Sequence, residues 1–270
     1  MKNRIILVLA TVIMSFAQFS CNENTVAEDL MLKKGFDYYP LEIGKYIIYQ
    51  LDSIIYRGLT GSDCLFIQDT ASHFLKEEVV DIFEDNSGKV NYIIERFISQ
   101  DLNGPWQVSD VWNTKKTETQ VERVEENLRF IKVVFPVSQG KSWNGNTYFR
   151  DTATVIGGET IDFYKYWSDE YNYESVDLPE EFNGIMFDSV LTIFQSEPSE
   201  NKINHRVSIE KYARGVGLIY KEMKILDTQC AISSSACDGD DSGLLYCNNI
   251  PWEEKAERGL ILRQVVVEHN

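Results

Sequence analysis

The sequence predicts an all-β protein: a single antiparallel β domain, a barrel or strongly curved sheet, after an N-terminal signal helix. About ten short runs rich in β-branched and aromatic residues follow one another, and residues typical of turns separate most of them. The chain has 14 Tyr, 14 Phe and only 6 Pro, which indicates a packed core. We expect residues 1–20 to be a signal peptide, 21–35 a lipidated flexible tether and 36–270 the β domain.

The first segment has the pattern of an export signal. Lys2 and Arg4 precede an apolar run at 5–19, which is too short to span a bilayer as a helix, since that needs roughly 20 residues. Two cleavage positions compete. Cleavage after Ser20 would expose Cys21 for diacylation, whereas cleavage after Ala17 would release a soluble protein.

Cysteine parity favours lipidation. The chain has five cysteines, so use of Cys21 as the lipid site leaves four, an even number that suits an oxidising compartment. These four disulfide candidates are Cys64, Cys230, Cys237 and Cys247. The expected connectivity pairs Cys237 with Cys247 and Cys64 with Cys230. It is one of the three that four cysteines allow.

The charge balance excludes nucleic acid as a partner. Lys2 and Arg4 are two of the 26 basic residues, so the mature chain has 24 against 42 acidic residues and a formal charge of −18. Binding to phosphate backbones depends on clustered Lys and Arg. The acidity is typical of a soluble surface.

Two hairpins are predicted in the first half of the domain. A strand is expected at 46–56, and a hairpin at 77–99 turns at the sequence Asp85-Asn86-Ser87-Gly88. A second hairpin at 120–135 turns at Glu126-Asn127, and its second strand is apolar on both faces. This pattern indicates a strand covered on both sides or one lining a closed barrel.

The second half carries further strand-like runs. They lie at 152–156, 161–167, 185–195, 207–212, 218–226 and 259–268. We expect the last of them to close the sheet or barrel. A short helix is predicted at 251–258.

No catalytic motif is present. The three histidines are far apart in sequence and do not form a zinc-protease motif, and the chain has no nucleophile elbow, phosphate loop or dinucleotide fingerprint. This absence is weak evidence against a hydrolase, since glycosidase carboxylates carry no local signature. No pair of acids is singled out by the sequence, however, so a hydrolase with paired carboxylates ranks last among the functions considered. We predict no cofactor.

A weak calcium candidate lies near the C-terminus. Asp238, Asp240 and Ser242 match the opening of a calcium loop, but Asn249 stands where the loop needs a bidentate Glu. An acidic solvated loop is the favoured interpretation, so no metal site is predicted.

One aromatic cluster is the best candidate for a binding surface. Its rings alternate with carboxylates, a combination that suits a glycan because rings stack on sugar faces and carboxylates accept hydroxyl hydrogen bonds. The favoured interpretation is that the rings fill the core or pack along a sheet edge, since aromatic residues are enriched in strands. The candidate residues are Tyr164, Tyr166, Trp167, Tyr171 and Tyr173.

Three sequence motifs resemble those of uncharacterised lipoproteins from Bacteroidota-type Gram-negative bacteria. The motifs begin at Tyr39-Pro40-Leu41, at Phe135-Pro136-Val137 and at Tyr212-Ala213, the last continuing to Gly215-Val216-Gly217. The resemblance covers most of the mature chain. It implies export and a lipid on Cys21, and it carries no catalytic residues across.

The sequence thus predicts an outer-membrane lipoprotein of the cell envelope, held to the membrane by its lipid. A non-catalytic binding or envelope-maintenance module is the favoured function. Two ligand classes remain open: a glycan bound by the aromatic cluster, and an apolar ligand carried inside a barrel.

Overall fold

A computed structural model describes residues 34–58, 66–150, 153–156, 158–168, 170–198, 201–229 and 249–270. Nearly all regular structure in these ranges is β, which confirms the predicted fold class. The strands are β1 (Tyr46–Gly58), β2 (Phe66–Glu84), β3 (Val90–Ser99), β4 (Gln107–Lys116), β5 (Gln120–Glu125), β6 (Leu128–Val134), β7 (Ser142–Trp143), β8 (Ala153–Ile156), β9 (Glu159–Asp162), β10 (Tyr171–Phe182), β11 (Ile185–Ser196), β12 (Asn204–Ala213), β13 (Gly217–Asp227) and β14 (Arg258–His269). The predicted short helix is α1, Trp252–Lys255.

Twelve strands form one antiparallel sheet. Their order is β6-β5-β4-β3-β2-β1-β14-β13-β12-β11-β10-β7, and β8 pairs with β9 in a separate ribbon. The last strand was expected to close the sheet or barrel, and it pairs with the first strand, β1, and so joins the two halves of the sheet. β14 lies in the middle of the sheet between β1 and β13, and the two edges belong to β6 and β7.

Both predicted hairpins are confirmed. In the β2–β3 turn the Asp85 carboxylate accepts the backbone N–H groups of Ser87 and Lys89. In the β5–β6 turn Glu126 and Asn127 have φ of 49° and 63°, the left-handed conformation that a tight two-residue turn requires.

The two sheet edges meet at a seam. Across it the N–H of Ile131 donates to the carbonyl of Gly145 at 2.9 Å, and Trp143 Nε1 donates to the carbonyl of Ile131 at 2.8 Å. The Tyr173 hydroxyl accepts the N–H of Val134 at 2.8 Å and donates to its carbonyl at 2.6 Å. The sheet is therefore a nearly closed barrel, and two side chains perform part of the bonding that a strand ladder would otherwise supply.

An N-terminal segment fills one part of the barrel interior. Phe36, Tyr38 and Tyr39 are buried, and Tyr39 packs on Tyr212 with ring centroids 5.6 Å apart. Lys116 holds this segment by donating to the carbonyls of Phe36 and Tyr39. The barrel is thus packed with side chains.

Two parts of the strand prediction need correction. The run at 161–167 is a strand only to Asp162, because 163–166 forms bends and turns. Strands β4 and β10 were not predicted, since Gln107–Lys116 and Tyr171–Phe182 are rich in polar residues. No helix in the described ranges is apolar and long enough to cross a bilayer.

Several predictions fall outside the described residues. These are the signal peptide, nearly all of the tether, the lipid site Cys21, the calcium candidates Asp238, Asp240 and Ser242, and the four disulfide candidates Cys64, Cys230, Cys237 and Cys247. In the part of the chain that is described, no group of three metal-ligating side chains converges.

Candidate functional site

A buried ionic network occupies the barrel interior. Lys132 Nζ lies 2.8 Å from Glu210 Oε1 and 3.0 Å from Glu125 Oε1, and Lys221 Nζ lies 3.4 and 3.6 Å from the same two carboxylates. The Tyr212 hydroxyl donates to Glu210 at 2.6 Å. Lys132 is 2% exposed and Glu210 1%, so water does not share these charges.

The network continues through two arginines. Arg123 reaches Glu77 at 2.7 Å, and Arg96 bridges Glu77 at 3.1 Å and Asp110 at 3.3 Å. Both guanidinium groups lie over the ring of Trp112, at 3.7 Å for Arg96 and 4.7 Å for Arg123. Cations and carboxylates alternate, so the interior charges are balanced.

The electrostatics of this network do not suit acid–base chemistry. Burial acts to raise the pKa of Glu125 and Glu210, but Lys132 and Lys221 outweigh it and hold both pKa values below the ordinary range. A glycosidase general acid needs a raised pKa and access to substrate. The paired carboxylates therefore lack both requirements of the hydrolase hypothesis.

The barrel interior also gives little support to an apolar carrier. A cavity at one end of the barrel is lined by Tyr39, Leu41, Ile47, Val79 and Leu218 among others, with Arg123 and Glu77 at its polar side. Its volume is about 60 Å³. Ligand pockets commonly hold about 300–1,000 Å³, so this cavity fits a few waters rather than an acyl chain.

A larger cleft lies beside the seam, and we call it the seam cleft. It has a volume of about 360 Å³, and the connector that follows β7 faces the turn that follows β9 across it. Its lining residues are Asn144, Asn146, Thr147, Phe149, Arg150, Tyr164, Trp167 and Ser168.

Three rings form the apolar side of the seam cleft. Phe149 and Tyr164 meet edge to face with centroids 4.9 Å apart, and Tyr164 and Trp167 are 5.2 Å apart. All three are half-buried, and burial raises the pKa of the Tyr164 hydroxyl, which stays neutral. Each ring packs against other aromatic rings and is partly accessible.

Polar groups in the seam cleft have unused hydrogen-bonding capacity. Asn144 Oδ1 accepts the N–H of Asn146, and Asn146 Oδ1 accepts the Tyr171 hydroxyl at 2.7 Å. Among the described residues nothing accepts from either amide nitrogen, and the Tyr164 hydroxyl has no partner there. These donors belong to residues that line the same cleft as the three rings.

The local backbone depends on Gly145. A side chain there would collide with the Tyr171 ring, so only glycine allows the connector to approach β10. The same residue supplies the carbonyl that accepts Ile131 across the seam. The connector is therefore fixed by the closure of the barrel.

The structure divides the five aromatic candidates. Tyr164 and Trp167 line the seam cleft, and Tyr166 is 46% exposed outside its lining. Tyr171 and Tyr173 are each 1% exposed, and their rings pack against Trp143. Tyr171 and Tyr173 therefore belong to the core, and the hypothesis of an exposed binding surface is wrong for these two residues.

Sequence inspection missed the polar half of the cleft. Asn144, Asn146, Thr147 and Ser168 are not among the candidate site residues predicted from the sequence, although Ser168 directly follows the aromatic run. The signal that could have identified them is the pair of asparagines around a glycine directly after Trp143. Turn residues next to an aromatic run are typical of a binding loop as well as of a connector.

Comparison with solved structures gives distant similarities. A solved structure from Bacteroides fragilis NCTC 9343, described as a presumed exported protein with a YmcC-like fold, matches 86% of this chain and 98% of its own. The sequence identity is 9% and the TM-score is 0.34. No protein-family model and no curated protein sequence matches the chain.

Proposed function

We propose that the protein is a lipid-anchored component of the cell envelope whose β domain is a non-catalytic binding module. Its ligand is a hydroxyl-rich glycan, which binds in the seam cleft. The observation that carries this proposal is the combination, in one cleft of about 360 Å³, of three half-buried rings with amide and hydroxyl donors that have no partner among the described residues.

The chemistry of the cleft matches a sugar better than an apolar ligand. A pyranose ring offers C–H faces that pack on aromatic rings and hydroxyl groups that accept from amide N–H. Asn144, Asn146 and Thr147 supply polar contacts opposite Tyr164 and Trp167. A purely apolar ligand would leave those polar groups without partners, which costs free energy.

The glycan proposal is tested by titrating the full-length chain with cellobiose, maltose and the chitin disaccharide in a polyoxyethylene detergent. Tryptophan fluorescence and calorimetry serve as readouts, since Trp167 borders the cleft. The double variant Asn144→Ala/Thr147→Val should lower affinity by about tenfold, because two hydrogen bonds are lost.

Tyr166→Ala is the matched control. Its ring is exposed and close in sequence but outside the cleft lining, so affinity should be unchanged. The glycan proposal fails if none of the disaccharides binds at millimolar concentration, or if the double variant binds as tightly as the control.

The anchor is tested separately. The signal pattern before Cys21, the even number of other cysteines and the acidic charge all support an exported lipoprotein of the outer membrane. A Cys21→Ala chain should leave the membrane fraction. Retention of that variant on membranes after a carbonate wash would rule out lipid anchoring and leave the glycan result intact.

A further inference from the structure

A lysine-lined pocket lies at one end of the barrel, well apart in sequence from the seam cleft. The β2–β3 turn, the end of β4 and the N-terminal segment converge there around a volume of about 360 Å³. Its lining residues are Leu41, Gly88, Lys89, Val90, Tyr92, Lys115, Lys116 and Thr117. We call it the lysine pocket.

Three cations and no carboxylate line this pocket. That composition is unusual for this chain, which has 42 acidic and 26 basic residues. The lining of the lysine pocket is therefore positively charged although the protein as a whole is acidic.

Lys116 is held in place by neutral groups. Its ammonium donates to the carbonyls of Phe36 at 3.1 Å and Tyr39 at 2.8 Å, and no described carboxylate lies within ion-pair distance of it. An ammonium has three N–H donors, so one remains for a ligand. The nearby charges are Asp37, which Arg214 already binds at 2.6 Å, and Glu42.

The other two lysines differ in their partners. Lys89 is exposed and forms no ion pair with the described residues. Lys115 forms ion pairs with two carboxylates outside the lining, Glu122 at 3.4 Å and Asp85 at 3.7 Å. The Tyr92 hydroxyl, which has no hydrogen-bond partner in the described ranges, adds a neutral donor.

We propose that the lysine pocket binds a phosphate monoester, the dianion taking the ammonium groups of Lys89, Lys115 and Lys116. A dianion matches several point charges, and lysine binds phosphate as a point charge. Leu41 and Val90 provide an apolar wall for the organic part of the ester. The ester's source is either a small soluble metabolite or a lipid with a terminal phosphate.

The test uses the full-length chain in polyoxyethylene detergent and calorimetric titration with three probes. Inorganic phosphate, glycerol 3-phosphate and dihexanoyl phosphatidic acid share the phosphate and differ in the organic part. If glycerol 3-phosphate binds most tightly of the three, the natural ligand is a small soluble ester. If the phosphatidic acid binds most tightly, the natural ligand is a lipid headgroup.

Two variants probe the site itself. Lys116→Gln should lower affinity for the best probe by about tenfold or more, because a charge-assisted hydrogen bond is lost. Lys89→Gln, at an exposed position that folding does not require, should also lower it. Lys202→Gln removes the same charge from an exposed residue outside the pocket and is the matched control.

The proposal is overturned if no probe binds at millimolar concentration. It is also overturned if Lys89→Gln and Lys116→Gln bind as the Lys202→Gln control does. Loss of affinity in both pocket variants with an unchanged thermal midpoint in Lys89→Gln supports it. Glycan titrations of the same variants should be unaffected, which separates this result from that of the seam cleft.

Discussion

Lysines serve two different purposes in the buried ionic network and in the lysine pocket. Lys132 lies between Glu125 and Glu210 and is almost completely buried, whereas Lys116 meets only carbonyl groups at the end of the barrel. Burial lowers the pKa of Lys116, while the two carboxylates raise that of Lys132 despite its deeper burial. The number of carboxylate partners, more than depth, distinguishes a structural lysine from one that can receive a ligand.

The largest expected effect is a loss of folding stability when the buried Lys132 is replaced. Lys132→Ala leaves Glu125 and Glu210 buried without their shared cation and should reduce the free energy of unfolding by about 3–5 kcal/mol. Chemical denaturation measures the loss. Lys202→Ala, at an exposed position, should stay within about 0.5 kcal/mol. A loss below about 1 kcal/mol for Lys132→Ala would show that the network does not depend on this cation.

The pH dependence of folding stability should follow the titration of the carboxylates in the buried ionic network. Glu77, Glu125 and Glu210 have folded pKa values below the ordinary 4.5, so the unfolded chain binds protons that the folded chain does not. Their contribution to stability is complete above about pH 4.5 and is lost as the pH falls further. Denaturation midpoints measured from pH 7 to pH 3 should decline most steeply below pH 4.5. Equal midpoints at pH 5 and pH 3 would contradict the assignment.

A seam variant should have an intermediate effect. Tyr173→Phe removes a hydroxyl that both accepts from and donates to the backbone of Val134, and it should cost about 1–3 kcal/mol because the half-buried Val134 groups lose their partner. Tyr46→Phe is the control, since its hydroxyl meets Glu268 at the surface. Equal stability of the two variants would show that the hydroxyl does not hold the seam.

The smallest expected effect is on ligand binding by Lys115. It tests whether a lysine that already has carboxylate partners contributes less to binding in the lysine pocket. Lys115 already has Glu122 and Asp85 nearby, so Lys115→Gln should weaken phosphate-monoester binding by only about two- to fivefold, less than Lys116→Gln. Calorimetry of the two variants side by side gives the comparison. If Lys115→Gln loses more affinity than Lys116→Gln, the number of carboxylate partners does not determine how much a lysine contributes to ligand binding.

Local chemistry made part of the fold predictable. The Asp85-Asn86-Ser87-Gly88 turn and the Glu126-Asn127 turn specify their own backbone conformations, and the strands around them follow. Strand β10 was missed because Pro179 and four acidic residues obscure its alternation. Its pairing with β11 is set by neighbours rather than by intrinsic preference.

The candidate sites depend on contacts that no local pattern encodes. Lys132 and Glu210 are 78 residues apart, and they meet because the barrel brings β6 and β12 to a common interior. The seam cleft likewise joins Asn144 to Trp167 only after β7 pairs with β10. The aromatic cluster in the sequence predicted Trp167 as a binding residue. The polar residues on the other side of the cleft can be identified only from the closed sheet.

The seam also sets where the barrel opens first. Between β6 and β7 the described backbone makes one hydrogen bond, from Ile131 to Gly145, while β1 and β14 share a ladder of ten paired residues. Local opening needs the least free energy where the fewest backbone bonds break together. Amide hydrogen exchange should therefore be fastest along the seam and slowest where the first and last strands meet. Gly145 lies between the cleft residues Asn144 and Asn146, and the Tyr171 hydroxyl donates to Asn146, so a ligand bound in the seam cleft should slow exchange along the seam and stabilise the closed barrel.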